Sequence, residues 1–453
     1  MYVGSYDKIL GSQMFSRHNL RIYLRKFHLS RILIFKKIIK MKKSSPLLVI
    51  FFTIIVDMLG IGILIPIYPL LILPGAFKVI PDSWTIDSGF ILLGWLNATF
   101  PLMQFFFTPF LGQLADRFGR RKVLLGSILG SAIGYAIFAY AIFTKNIPLL
   151  FIARAIDGIS GGNIAVAQAV IADISEPQDR AKNFALVGVS FGLGFVLGPF
   201  IGGVLSDATT VSWFSAAIPF CFASLLCFIN ASYVVKFLPE TLKVRSERKL
   251  DITKPLHNIK VAFLTDGLRN IMPTTFLFNW GFTFFTTFFA LVLVNKYSYS
   301  QTQVGDFFAY TGIMIIFGQF VVIRQVAKYL ADYQVMRFCF FGVAVCLVSY
   351  FFVPVSMSYL LYVVPPFLAS FNSMCFSFST SLVTRVTPPH MRGEALGINS
   401  SVVALGQAIP AMMSGYVATI NPVVPTVLGG VIVAIAGGVF WYLFNPNRFL
   451  DVK

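Results

Sequence analysis

Charge is scarce in this chain. Of its 453 residues only 12% are Asp, Glu, Lys or Arg, against 57% hydrophobic, and the acids number just 18. A water-soluble domain of this length needs far more charged surface, which excludes a soluble globule. Histidine is scarcer still. His18, His28, His257 and His390 fall near the terminus or between apolar runs, with no nucleophile–base pair, zinc spacing or phosphate loop beside them. That argues against an enzyme and against ATP as an energy source. The five cysteines (Cys221, Cys227, Cys339, Cys346, Cys375) sit inside apolar runs without ligand spacing, so no disulfide, metal or cofactor is expected.

What the chain has is apolar length. A dozen membrane spans of about 20 residues each fit within it, and the runs are too long for barrel strands, leaving helices that satisfy their own backbone. The pattern predicts spans at 46–72, 89–113, 123–143, 147–171, 183–206, 213–237, 271–294, 302–324, 335–354, 358–384, 395–418 and 423–444. Between odd-numbered spans and their successors the only basic residues are Lys78, Lys145 and Lys296, so both termini are expected in the cytoplasm. The net charge of +18 then reflects orientation and anionic lipid rather than nucleic acid.

The basic stretch 239–270 divides the chain into an N-terminal six-helix bundle at 46–238 and a C-terminal one at 271–444, with a tail at 445–453. A weak internal repeat supports two pseudo-symmetric halves. Glu-Pro-Gln-Asp-Arg at 176–180 is echoed by Pro-Pro-His-Met-Arg at 388–392, and Gly194 and Gly406 are 212 residues apart, as are Gly203 and Gly415. Residues 1–45 carry eleven Lys and Arg against Asp7 alone. They read as an interfacial amphipathic segment or, more simply, as an extension without a transport role, since Met41 is a natural start ahead of the first span.

Three motifs carry the functional reading. The loop Gly112-Gln-Leu-Ala-Asp116-Arg117-Phe-Gly119-Arg120-Arg121-Lys122 closely resembles the signature loop between spans 2 and 3 of the major facilitator superfamily. That resemblance implies an all-α membrane protein of twelve transmembrane helices in two six-helix halves. It implies a cytoplasmic gate in which Asp116 caps the start of span 11 and Arg120 pairs with Asp173. The fifth span carries Gly188, Gly192, Gly194, Gly198-Pro199 and Gly202-Gly203, which resembles the superfamily's antiporter motif, and Gly188, Gly192, Gly198 and Gly202 are expected to face span 8, where Gly312 and Gly318 offer small partners.

Asp57 lies eleven residues into the first span, about 16 Å along a helix. An ionisable group there costs at least ~2.5–3.5 kcal/mol to insert and is a functional candidate. Its context, Asp57-Met-Leu-Gly-Ile-Gly, resembles the first span of twelve-span drug–proton antiporters. Arg154 and Asp157 are three apart on one face of span 4 and can pair; by resemblance Arg154 takes part in proton transfer. Asn97, Gln104, Asn163, Gln168, Asn279, Gln319, Asn372, Asn399 and Gln407 are expected around a central substrate cavity, the 49 Phe and 13 Met suiting an apolar or aromatic guest.

The first half is most similar to tetracycline-resistance exporters. Two departures stand out: no acid occurs in 335–354 or in 123–143, where those exporters carry essential ones. The expectation is a monomeric, proton-coupled exporter of a small amphipathic molecule (drug, siderophore or metabolite) in a bacterial inner membrane. The rival readings are a proton-linked importer or metabolite facilitator and a non-transporting sensor or scaffold.

Overall fold

The computed structural model describes residues 46–176, 179–246, 250–388 and 391–446. The basic extension at 1–45, the centres of the two repeat segments and most of the tail lie outside them. The described residues form helices and turns, including twelve helical spans long and apolar enough to cross a membrane. In order these are Pro46–Ile72, Ile86–Phe118, Arg120–Phe143, Ile147–Ile174, Leu186–Ser206, Ile218–Phe237, Leu268–Tyr297, Gln301–Val326, Asp332–Phe352, Val355–Arg385, Ala395–Ala418 and Val424–Leu443. They are called spans 1 to 12 below.

Local chemistry explains where several spans begin, end or break. Span 2 starts at Thr85, whose hydroxyl accepts from Ser88 N–H, and stays helical through Asp116 and Arg117. It stops at Gly119, whose φ of +109° is closed to most side chains. A Cβ there would also lie 2.4 Å from the Glu240 carboxylate. Span 8 opens on a capping box between Ser300 and Gln303, and loosens into a π turn at Gly318–Val322. Span 10 begins as a 3₁₀ segment, Val355–Val363, before Val364–Arg385.

Span 4 departs from the continuous helix expected over 147–171. It consists of Ile147–Ser160 and Asn163–Ile174, broken at Gly161–Gly162. Two adjacent glycines weaken a helix by about 1 kcal/mol each. Tertiary contacts then settle the break: Gly161 packs on the Phe100 ring and Gly162 on Thr108 and Leu111 of span 2. Gln104 donates its side-chain amide to the Gly161 carbonyl (3.0 Å), giving a partner to an acceptor at the break.

Buried apolar side chains form two clusters, one built mainly from spans 1–6 and one from spans 7–12. The two groups of spans meet chiefly where span 2 packs on span 11 and span 5 on span 8. At one end these seams are tight. A Cβ on Gly94 would sit 2.8 Å from the Ala411 carbonyl, and one on Gly305 would sit 2.7 Å from that of Pro199. Polar bonds clasp the same end. Tyr68 donates to Asn97 Oδ1 (3.0 Å), Asn97 Nδ2 donates to Thr287 (2.9 Å), and Trp95 donates to Tyr416 (3.2 Å).

Thr302 completes that clasp by donating to Asp207 (2.8 Å) at the end of span 5. Burial alone would raise the Asp207 carboxyl, but hydrogen bonds from Thr209 and Thr302 outweigh it and hold the group below its ordinary value. The Thr302–Asp207 contact is therefore at full strength at neutral pH and weakens only as pH falls through that depressed value. At the opposite end, which carries Asp116, Gly112 and Gly397 meet nothing within 4 Å. Neither glycine is packed against the other group of spans.

Candidate functional site

Asp57 stands at the middle of span 1, half-buried, with Oδ2 sealed from solvent and without a hydrogen-bond partner. Asn163, the first residue of the second half of span 4, lies beside it and is fully buried. Its side-chain amide reaches toward the Asp57 carboxylate, at a geometry too poor to satisfy Oδ2. The break in span 4 thus brings the first residue of its second segment next to that carboxylate.

A turn away, Arg154 donates to Asp157 across 2.9 Å, with the two side chains 4% and 5% exposed. The Arg154 guanidinium lies over the Phe100 ring at 4.7 Å, leaving its Nε unpartnered. The hydroxyls of Tyr135 and Ser131 also reach Asp157. Sequence reading passed over Tyr135, because a tyrosine in span 3 reads as ordinary apolar surface. Its hydroxyl fits only because residue 60 is glycine: a Cβ there would fall 1.9 Å from it. Spans 1, 3 and 4 are knitted together at this level by Asp57, Gly60, Tyr135, Arg154 and Asp157.

Removing one member of a buried ion pair costs about 3–5 kcal/mol, because the survivor is left charged and unpaired. Arg154→Ala should therefore lower the unfolding temperature of the purified protein sharply, whereas Arg154→Ala with Asp157→Ala should be milder. Equal unfolding temperatures for Arg154→Ala and the parent chain would show that the pair is structurally idle.

The signature loop closes on itself at the end that carries Asp116. Arg120 pairs with Asp116 (2.6 Å) and with Asp173 (3.4 Å), and Thr241 donates to Asp173 (3.1 Å). These contacts join spans 2, 3 and 4, so the Arg120–Asp173 pair lies inside one half and cannot itself latch the two halves. Among the described residues Asp116 makes no bond to span 11. Arg121 donates to the Val235 carbonyl, while Arg117 stacks on Phe118 and is exposed. Glu240, which the sequence did not single out, accepts from the backbone N–H groups of Arg120 (2.9 Å) and Arg121 (3.3 Å), capping span 3.

The second half repeats this device with the charges exchanged. Asp332 opens span 9 and receives Arg385, from the end of span 10 (3.1 Å), and Ser381 (2.5 Å). Among the described residues Arg324 and Lys328, near the end of span 8, take no part in it.

The glycine face of span 5 is two faces. Gly188 and Gly192 meet Gln319 and Ile316 of span 8, and Gly203 meets Gly305. Gly194, Gly198 and Gly202 instead pack on Met58, Leu59, Gly62 and Ile63 of span 1. The expectation that Gly198 and Gly202 face span 8 is thus corrected. Gly192 and Gly198 are six residues apart, 600° of helix, and so fall on different sides. Pro199 is shared: its ring lies against Gly62 and its carbonyl against Gly305. Gly312 does meet span 5, at Phe195 and Val196, whereas Gly318 backs onto Ser370 of span 10.

The amide side chains separate by role. Asn97 belongs to the clasp and Gln104 to the break in span 4. Asn279 bonds back to its own helix at Thr275. Gln168, Gln319, Asn372 and Gln407 are half-buried, and no hydrogen bond ties them to another helix among the described residues. Asn399 keeps a buried, unpartnered Oδ1. Phe276 and Trp280 of span 7 stand edge to face at 5.3 Å.

Comparison with known proteins agrees with this architecture. Residues 50–411 match the family model described as the Major Facilitator Superfamily. The chain is 33% identical over 295 residues to the class C tetracycline resistance protein of Escherichia coli, covering 65% of this chain and 70% of that protein. It is 24% identical over 419 residues to multidrug resistance protein 2 of Bacillus subtilis (strain 168), covering 89% and 96%. The crystal structure of the human organic anion transporter MFSD10 (TETRAN) superposes with a TM-score of 0.66 at 20% identity, over 87% of this chain and 98% of that one. This protein is a membrane transporter, not an enzyme, and belongs to the Major Facilitator Superfamily.

Proposed function

We propose that the protein is a proton-coupled antiporter that exports a small amphipathic organic molecule by alternating access. The observation that carries this is the Asp57 carboxylate: mid-span, half-buried beside the break in span 4, one oxygen sealed and unpartnered. An unpaired buried charge is costly unless a proton or a cationic group of the guest neutralises it. Arg154 does not serve, because Asp157 already holds it. Proton and guest then compete for one carboxylate, which is the simplest way to couple opposite movements.

The resistance proteins of Escherichia coli and Bacillus subtilis among the relatives support an export direction and an amphipathic guest. Tetracycline itself is less well matched. Span 3 has no acid, and the one acid of span 9, Asp332, is bound to Arg385 at the membrane face. In this reading both termini are cytoplasmic, the membrane is a bacterial inner membrane, and the structure is the state open to the cytoplasm. Closing that side would free Asp116 from Arg120 to cap span 11, while the Asn97 and Asp207 clasps open on the other.

Inside-out vesicles acidified within, screened with amphipathic drugs, siderophores and metabolites, test the direction. Export should appear as uptake of one compound with loss of the acid gradient. Uptake only when the gradient is reversed would replace the antiporter with a proton-linked importer.

A further inference from the structure

Arg337 lies outside everything described so far. It is five residues into span 9, about 7 Å from the membrane-facing end of the helix, at the level of the headgroup boundary. Its guanidinium is held between two rings, 5.6 Å from the centre of Tyr333 and 5.1 Å from that of Trp441. Trp441 is in turn fixed by donating its indole N–H to the Arg337 carbonyl (3.2 Å). Among the described residues no carboxylate pairs with Arg337, and its Nε is sealed without a partner. The nearest acid in sequence, Asp332, is already taken by Arg385 and Ser381. The site is a rigid, caged cation that lacks an anion.

Directly beneath it runs an apolar groove of about 690 Å³ between spans 9 and 12. Phe341, one helical turn from Arg337, forms its near end and packs on Gly437, one turn from Trp441. Val345, Val348 and Phe352 continue one wall, and Gly430 and Ala434 form the other. The groove opens one turn beyond Arg337, at Phe341, and runs from there along span 9 toward Phe352, eleven residues or about 16 Å further on.

We infer that this is a binding site for one anionic phospholipid, its phosphate on Arg337 and an acyl chain in the groove. Neither half of the site explains itself alone. A groove without the cation would take any lipid tail, and a cation without the groove would take any soluble anion. A guanidinium resting on two rings keeps its planar fork of N–H donors for an anion, which suits the paired oxygens of a phosphate. A cation near an anionic surface favours charged lipid by about 1 kcal/mol, roughly a fivefold preference.

The probe is Trp441, made the sole tryptophan by Trp84, Trp95, Trp213 and Trp280→Phe, in phosphatidylcholine vesicles. A small fraction of brominated phosphatidylglycerol should quench it about fivefold more effectively than the same fraction of brominated phosphatidylcholine. Arg337→Gln should erase that preference, and Ala434→Phe, which fills the groove, should weaken quenching by both lipids. Unlabelled phosphatidylglycerol should relieve the quenching in the otherwise unaltered chain, whether or not those variants fold, while inorganic phosphate should not. Equal quenching by the two lipids, a preference that survives Arg337→Gln, or displacement by inorganic phosphate would each overturn the assignment. Dimerisation that hides Trp441 from both lipids would do the same.

Discussion

Asp57→Asn is expected to abolish gradient-driven transport while leaving a folded, inserted protein. Asparagine keeps the shape and one hydrogen-bonding oxygen but cannot exchange a proton. It also removes the cost of an unpaired buried charge, since Oδ2 of Asp57 has no partner in the native protein. The variant should therefore unfold at the same temperature as the parent or slightly above it, and should still exchange substrate across the membrane when no gradient is applied. Loss of coupling with retained stability separates a transport role from a packing role. Transport against a gradient by Asp57→Asn at the parent rate would remove Asp57 from the mechanism.

Gly198→Leu is the second change with a large expected effect, and its reason differs from the one the motif suggests. A Cβ at 198 would already lie 2.7 Å from the Leu59 carbonyl and 2.8 Å from the Gly62 Cα, both backbone atoms. Overpacking a core with flexible neighbours costs about 1–3 kcal/mol. Here the neighbour is helix backbone that cannot rotate away, so spans 1 and 5 must move apart at Leu59, close along the helix to Asp57. The expected result is poor folding or, in protein that does fold, loss of coupled transport together with proton leak. By the same geometry Gly188→Ala should be tolerated, because its neighbour is the mobile end of Gln319 at 2.8 Å. Coupled transport at the parent rate by Gly198→Leu would contradict the close span 1–span 5 contact.

Much of this molecule was legible before its structure. Span positions were, because apolar runs separated by Lys and Arg admit few alternatives in a membrane. The charged stretch at 112–122 was legible as a turn between two spans but not in extent, because its charges ride on the helix ends and Gly119 alone separates spans 2 and 3; Arg154 and Asp157 were paired correctly from helical spacing alone. What stayed hidden required partners far apart in the chain. Asn97 looked like a cavity residue until Tyr68 and Thr287 appeared on either side of it. Tyr135 gave no signal because its reach to Asp157 depends on the missing side chain of Gly60.

The glycines of span 5 were misassigned for a simpler reason. Two pairs, each spaced by four, were read as one face, although the step of six between them turns the helix to another side. The break at Gly161–Gly162 was visible as a glycine pair, yet glycine pairs are common in membrane helices. Only the packing of Phe100, Thr108 and Leu111 against it distinguishes this one. Glu240 could not have been found at all, since its bonds are to backbone amides 120 and 119 residues away.

If proton and substrate compete for Asp57, binding of one must displace the other. The most direct test adds saturating substrate to purified protein in weakly buffered detergent and follows the pH of the solution. Binding should release a proton from the parent chain and none from Asp57→Asn, with binding itself retained. An equal release from both proteins, or substrate binding to the parent chain with no release over the pH range in which it transports, would contradict the account.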